Sequence, residues 1–145
     1  MRLRPYTRRV FYYETDRMGI VHHSNYIRWF EEARVDVIEQ AGLPFETVEA
    51  QGIMSPVLSA ECEYLIPMKF GDVFVIKAYI PKFGTRFDVI YEVYDDNGVL
   101  HARGKTSHCF VDTDLRPVRI KHSHPKVYDT YMALADAGEH LYDSE

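Results

Sequence analysis

The segment YYETDRMGIVHHSNY, residues 12–26, decides how this chain folds, because it joins a short turn directly to a strong helix start. Asp16 and Gly19 occupy the turn, and both residue types favour tight turns. The pattern therefore predicts a carboxylate beside the free backbone N–H groups of a helix N-terminus. Those N–H groups can stabilise a developing oxyanion, so the segment indicates acyl-transfer chemistry.

A long amphipathic helix is predicted from about residue 23 to residue 41. Ser24 and Asn25 are good N-cap candidates, and Gly42 is a good C-terminal stop. Apolar side chains recur along this segment at spacings of four, three, four and four, which gives one apolar face: Tyr26, Phe30, Ala33, Val37 and Ala41. A one-sided helix of this length should lie across an apolar sheet.

The remaining chain reads mostly as strands. Alternating apolar residues and turn signals predict strands over about residues 4–13, 54–65, 73–82, 87–93 and 99–112, with helical pieces near 45–51 and 125–137. Asp95-Asp96-Asn97-Gly98 is a strong hairpin signal. The expected order is a strand, a long helix and four antiparallel strands connected by hairpins, in one α+β domain over residues 1–145. Unpaired strand edges would favour association with a second copy.

Composition excludes several classes of protein. With 145 residues, 46% hydrophobic and 27% charged, the chain has the make-up of one globular domain. The net charge of −5 argues against a general nucleic-acid binder. No apolar run predicts a membrane span or a secretory signal. Cys62 and Cys109 are most simply reduced core thiols in a cytoplasmic protein.

Neither a metal site nor a bound cofactor is expected. The chain has seven histidines, but His22-His23 and His122-x-His124 lack the i, i+4 spacing of a zinc protease motif. No cysteine pair completes a ligand set. The sequence also lacks a P-loop and a GxGxxG motif, so a coenzyme's phosphates would have to be bound by surface lysine and arginine side chains.

Residues 9–34 resemble the hotdog-fold acyl-CoA thioesterases, a family similar to 4-hydroxybenzoyl-CoA thioesterase. The resemblance rests on the run RVFYxETDxxGIVxHxNY and its continuation ExAR at Glu31–Arg34. It extends over nearly the whole chain, through YLIP at residues 64–67 and the Asp112 and Arg116-Pro117-Val118 region. It implies a hotdog fold, in which a curved antiparallel sheet wraps a long central helix.

The resemblance also implies roles for particular residues. Asp16 matches the catalytic carboxylate, and the backbone N–H at His23 matches the group that polarises the thioester carbonyl. The side chains of Tyr12 and His23 are implied to assist. Other residues of the same motif are expected to bind substrate, namely Gly19, Val21, Asn25 and Tyr26. From the residues alone, the spacing slightly favours Asp16 as a turn aspartate that accepts backbone hydrogen bonds.

Thioester hydrolysis suits a single carboxylate. The leaving thiolate has a pKa of about 8.5 in its free form, so no strong general acid is needed. Asp16 can activate water or attack the carbonyl itself. The expected substrate is an acyl thioester of coenzyme A or of an acyl-carrier protein, and the expected assembly is a homodimer or homotetramer.

Three alternatives remain open from the sequence. A helix glutamate, Glu31 or Glu32, could be the catalytic carboxylate, as in another branch of hotdog thioesterases. The protein could be a hotdog hydratase or dehydratase acting on acyl thioesters. It could also be a non-catalytic module that binds acyl thioesters.

Overall fold

The computed structural model describes residues 1–143 and shows five strands, four α-helices and two short 3-10 segments. The strands are β1 (Tyr6–Arg9), β2 (Val57–Tyr64), β3 (Val73–Tyr79), β4 (Arg86–Asp95) and β5 (Leu100–Cys109). The helices are α1 (Ser24–Gln40), α2 (Phe45–Glu49), α3 (Ile120–Ser123) and α4 (Pro125–Ala137), and the 3-10 segments are Tyr12–Glu14 and Gly138–Tyr142.

The five strands form one antiparallel sheet in the order β1-β3-β4-β5-β2. β3, β4 and β5 are joined in sequence, and the predicted turn at Asp95–Gly98 is confirmed, with Asp95 N–H donating to Val99 O at 3.0 Å. The expectation that all four later strands are joined by hairpins is wrong for β2. β2 pairs with β5 and not with β3, so the chain crosses the sheet between them and leaves β2 at the edge.

Helix α1 lies on one face of this sheet and confirms the predicted apolar stripe. Tyr26, Phe30, Ala33 and Val37 are buried, and Ala41 just beyond the helix is half-buried. The predicted inward residues of the strands are buried as well: Phe74, Ile76, Ala78, Ile80, Phe87, Val89, Tyr91 and Val93. Amphipathic periodicity therefore located the core correctly, since each element has one apolar face to bury.

One close approach fixes how α1 meets the sheet. The ring of Phe30 stacks on Tyr91, with 4.5 Å between centroids and 11° between planes. A Cβ atom at Gly104 would lie 2.2 Å from the Phe30 ring and 2.9 Å from Glu61 O. Only glycine leaves room for the ring at this position of β5, and the helix can therefore sit directly on the strand.

Two predicted boundaries need correction. The strand expected over residues 4–13 ends at Arg9, because the chain turns through the 3-10 segment Tyr12–Glu14. Ser24 and Asn25 were expected to cap α1, but His23 is the N-cap and both lie inside the first turn. Ser24 Oγ instead lies 2.8 Å from His22 Nδ1, and the side chain of Asn25 bonds to the approaching loop, as described below.

Within residues 1–143, no helix combines the length and hydropathy needed to cross a membrane.

Candidate active site

The loop between the 3-10 segment and α1 presents Asp16 in a tight turn. Gly19 N–H donates to Asp16 O at 3.0 Å, and Asp16 N–H donates to Ile20 O at 2.9 Å. The carboxylate Oδ1 of Asp16 accepts from Met18 N–H at 2.8 Å. Gly19 has φ of +79°, a left-handed conformation that glycine adopts without strain. The side chain of Asp16 is half-buried, and this turn fixes where its carboxylate points.

The buried carboxylate of Glu14 anchors this loop to the rest of the protein. Its Oε1 accepts from Arg8 Nη2 at 2.9 Å and from Phe11 N–H at 2.8 Å, and its Oε2 accepts from Trp29 Nε1 at 2.8 Å. These donors belong to β1, to the residue that precedes the 3-10 segment and to α1. Glu14 is only 4% exposed. Glu14 belongs to the sequence motif, but the sequence predicts no role for it. Nothing in the local pattern shows that Arg8, Phe11 N–H and Trp29 all reach its carboxylate.

Asn25 acts on the same loop from inside the helix. Its Nδ2 donates to Glu14 O at 2.9 Å and to His22 O at 3.2 Å, and the side chain is buried. The two carbonyls lie before and after the Asp16 turn, so one amide group holds both ends of the loop. This contact explains why an asparagine stands in the first helical turn, where it does not cap the helix.

The helix begins at His23, whose backbone N–H has no acceptor within the described part of the chain. His23 has φ of −54° and no side-chain cap. Its carbonyl oxygen accepts from Tyr64 OH at 3.3 Å, which ties the helix start to the end of β2. An N–H group without an intrahelical partner at a helix N-terminus is suited to bind an anionic oxygen.

These groups meet in a cleft of about 300 Å³. Four predicted site residues line it: Asp16, Val21, His23 and Tyr26. Its other walls come from the Asp16 turn and the segment after β2: Met18, Ile20, Tyr64, Leu65, Ile66 and Pro67. In the sequence, residues 64–67 are notable only as part of the resemblance to the family, which predicts no site role for them. Their place in the wall depends on β2 crossing to the sheet edge, which the sequence pattern did not reveal.

The other predicted site residues lie around this cleft in different ways. Tyr12 is 74% exposed, and its ring contacts Phe70 edge to face at a centroid distance of 5.6 Å. Gly19 shapes the turn through its backbone, and Asn25 holds the loop as described above. The structure therefore joins Asp16 and His23 in one cleft and gives Gly19 and Asn25 positions that shape it.

The phenol groups at the cleft remain neutral at physiological pH. Burial raises the pKa of Tyr26 to about 12, with smaller contributions from Cys62 and Tyr64. Burial also raises the pKa of Tyr64. The Tyr26 hydroxyl can donate a hydrogen bond to a substrate, whereas that of Tyr64 already donates to His23 O. The carboxyl group at this site is that of Asp16.

A second cavity, of about 320 Å³, lies between α1, α2 and the start of β2. Its wall is largely apolar, with one ion pair in which Arg34 Nη2 donates to Glu31 Oε2 at 2.8 Å. Arg34 Nη1 donates to Ser55 Oγ at 2.9 Å. Among residues 1–143, Arg34 Nε and Glu31 Oε1 are buried without hydrogen-bond partners. A ligand in this cavity would find one donor and one acceptor there.

Glu31 and Glu32 of α1 are both engaged in ion pairs. Glu32 accepts from Arg8 Nη1 at 2.8 Å and from Tyr6 OH at 2.6 Å. Glu31 pairs with Arg34 as described. The described residues contain no cluster of three or more His, Cys, Asp or Glu side chains arranged to hold a metal ion. Asp16 is thus the carboxylate that the local geometry presents to the cleft.

An α1 helix on a five-stranded antiparallel sheet, with a turn carboxylate and a helix N-terminus in one cleft, defines a hotdog protein of the thioesterase type. The family model described as the thioesterase-like superfamily matches residues 10–133. The chain therefore belongs to this superfamily.

Similar proteins agree with that assignment. A Bacillus subtilis protein provisionally named acyl-CoA thioesterase YneP is 32% identical over 124 residues, covering 84% of this chain and 90% of its own. A provisionally named esterase of Aquifex aeolicus is 39% identical over 107 residues, covering 73% and 83%. The solved structure of a DHNA-CoA thioesterase from Staphylococcus aureus superposes with a TM-score of 0.85 at 29% identity, covering 90% and 89%.

We expect Glu14→Gln to destabilise the fold by about 3 kcal/mol, because it leaves Arg8 with one fewer charged partner and turns an amide N–H₂ towards hydrogen-bond donors. Glu39→Gln makes the same chemical change at an exposed position of α1 and should cost less than about 0.5 kcal/mol. Urea unfolding monitored by circular dichroism measures both. Similar losses in the two variants would show that Glu14 does not anchor the loop.

Proposed function

We propose that this thioester hydrolase cleaves acyl-CoA thioesters with the Asp16 carboxylate as base or nucleophile and the His23 backbone N–H as oxyanion donor. The observation that carries the proposal is the cleft in which the Asp16 turn and the start of α1 meet. The names of the relatives, which include acyl-CoA and DHNA-CoA thioesterases, support a coenzyme A thioester as substrate.

The chemistry follows from these two groups. In the base form of the mechanism, Asp16 takes a proton from a water molecule whose oxygen attacks the thioester carbonyl carbon. The carbonyl oxygen becomes an oxyanion and accepts a hydrogen bond from His23 N–H. The C–S bond then breaks, the thiolate takes the proton held by Asp16, and the carboxylic acid and the coenzyme A thiol are released. In the nucleophilic form, Asp16 attacks the same carbon and water later cleaves the anhydride.

The alternatives have less support from the geometry. Glu31 and Glu32 form ion pairs with Arg34 and Arg8, whereas Asp16 accepts a hydrogen bond from Met18 N–H and lines the cleft at the start of α1. A hydratase or dehydratase would need a paired histidine and acid, and the family relationship favours hydrolysis over that reaction. A binding module without turnover would not need a carboxylate fixed beside a helix N-terminus.

Replacement of Asp16 tests the function directly. Asp16→Asn should fold normally, since the amide oxygen can still accept from Met18 N–H. It cannot act as base or nucleophile, so the rate of thiol release should fall by roughly 10²–10⁴-fold. The assay follows free thiol with a thiol-reactive dye over a panel of straight-chain and aromatic acyl-CoAs. A folded variant that keeps more than half of the wild-type rate would refute the assigned role.

The oxyanion role predicts that His23→Pro loses much more activity than His23→Ala. Proline removes the N–H, and the φ of −54° at His23 lies within the range that proline adopts, so the helix should persist. Loss of one oxyanion donor typically lowers turnover about 10²–10³-fold. His23→Ala keeps the N–H and removes the imidazole alone. Equal turnover in the two folded variants would show that another group binds the oxyanion.

We also propose that two copies pair through the β2 edges. Seven of the eight residues of β2 are exposed, and Cys62 is partly buried. The large apolar side chains exposed on and beside this strand are Val57, Leu58, Tyr64, Leu65 and Ile66. An exposed apolar strand edge is a template for pairing with a second strand. A closed two-fold dimer would bury this edge on both copies at once.

Such a dimer would complete the active site. Antiparallel pairing about the middle of β2 brings Tyr64 of one copy close to Val57 of the partner subunit. The cleft at Asp16 would then adjoin the Arg34 cavity of the second copy, which begins at Pro56. The cleft would hold the thioester carbonyl, and the Arg34 cavity of the second copy would hold the rest of the acyl group.

Val57→Lys tests the assembly, with Val99→Lys as its matched control. The two valines are 44% and 43% exposed, but Val99 lies beside the β4–β5 turn, away from β2. Val57→Lys should shift the protein towards monomer and reduce activity, because the dimer would bury the lysine charge beside Tyr64 of the second copy. Light scattering at micromolar concentration reports the mass. A fully active wild-type monomer would rule the dimer out.

We place the protein in the cytoplasm as part of the same proposal. Cys62 and Cys109 are both free thiols, which suits a reducing compartment. The thiol carrier is proposed to be coenzyme A, and the same assay with acyl-carrier thioesters compares the two carriers.

A further inference from the structure

The wall of the cleft formed by Leu65, Ile66 and Pro67 is held by one residue of β5. Leu65 N–H and Ile66 N–H both donate to His101 O, at 2.9 and 3.0 Å. The imidazole of the same residue reaches back to this segment, with 3.1 Å between His101 Nδ1 and Ile66 O. His101 therefore binds the wall through its backbone and its ring together.

The other ring nitrogen contacts the β4–β5 turn. His101 Nε2 lies 2.9 Å from Asp95 Oδ2, and Asp95 Oδ1 accepts from Asn97 N–H at 2.8 Å and Val99 N–H at 3.0 Å. His101 is 8% exposed, so little of this residue is in contact with solvent. A carbonyl oxygen and a carboxylate oxygen can only accept hydrogen bonds. Both contacts are hydrogen bonds at once only if both ring nitrogens carry protons.

We propose that His101, as an imidazolium held between Asp95 and Ile66, is a positioning residue that fixes the Leu65–Pro67 wall and thereby sets substrate affinity. The proposal rests on the function proposed above for the Asp16 cleft. It does not place His101 in contact with substrate, and it predicts that the wall loosens when the ring loses its second proton.

The surrounding charges favour this arrangement. Hydrogen bonds from Val99 N–H and from His101 hold the pKa of the Asp95 carboxyl below its ordinary value, so Asp95 remains an acceptor across the neutral range. Asp96 is exposed in the turn. The next charged side chains on β5 and β2, Arg103 and Glu63, pair with each other at 2.7 Å. Asp95 is thus the ionised group bonded to the ring.

The sign of the pH effect follows from the bonds. A neutral ring keeps only one of its two hydrogen bonds, so KM should be higher for the neutral form, at higher pH, while kcat, set by Asp16 and His23, changes separately. The expected increase in KM is about 3- to 10-fold, the effect of one net hydrogen bond. The measurement is KM and kcat between about pH 6 and pH 9, a range that spans the ordinary pKa of histidine, with the best acyl-CoA of the panel.

Asp95→Asn separates positioning from simple structural support. The amide oxygen can still accept from Asn97 and Val99 N–H, and the amide N–H₂ can donate to His101 Nε2. The neutral ring can then form both hydrogen bonds, donating from Nδ1 to Ile66 O and accepting at Nε2 from the introduced amide. KM should therefore stay at the low-pH wild-type value at every pH measured. His101→Gln should instead show the high KM at every pH. Asp143→Asn removes an exposed His–Asp pair, formed with His140, and should keep the wild-type profile.

Nuclear magnetic resonance supplies a readout that does not depend on turnover. In protein labelled with ¹⁵N, the ring signals of His101 and the amide signals of Leu65 and Ile66 should change with the same midpoint, and the amide changes should vanish in Asp95→Asn. Ring titration without amide changes, or a KM profile identical in wild type and Asp95→Asn, overturns the proposal. Absence of hydrolysis across the panel refutes the proposed function instead, and the amide titration still decides the role of His101.

Discussion

The rest of the structure depends on the buried carboxylate of Glu14. It accepts hydrogen bonds from three parts of the chain: Arg8 of β1, Phe11 N–H just before the 3-10 segment and Trp29 of α1. A buried carboxylate is costly unless such donors satisfy it, so the three elements can reach their lowest free energy only together. Asp16 lies two residues later in the chain, so this contact also positions the loop that carries it.

A second constraint is the order of the strands. Because β2 pairs with β5 at the far edge, its last residue, Tyr64, comes next to His23 and the following segment becomes the wall of the cleft. The same order leaves β2 unpaired on its outer side, so one topological feature both completes the cleft in one copy and presents the edge proposed to bind another. His101, on β5, connects the wall to the β4–β5 turn.

Local patterns predicted those features whose energetics are local or periodic. The apolar stripe of α1, the alternation in β3 and β4, the Asp95–Gly98 turn and the helix Pro125–Ala137 were all predicted correctly. The strand that pairs with β2 was not predicted correctly. Alternation shows which face of a strand is buried, but it does not show which strand lies beside it. The predicted N-cap of α1 was also wrong. His23 is the N-cap, and the side chain of Asn25 bonds to Glu14 O and His22 O instead.

The sequence by itself determined the class of fold, the family and the candidate carboxylate, because the turn, the helix start and the motif around Asp16 are contiguous in the chain. Only the tertiary structure decided which side chains hold that motif in place. Glu14, Tyr64 and His101 meet their partners across separations of 15, 41 and 35 residues, at Trp29, His23 and Ile66. Such contacts exist only once the sheet has assembled, and no local spacing encodes them.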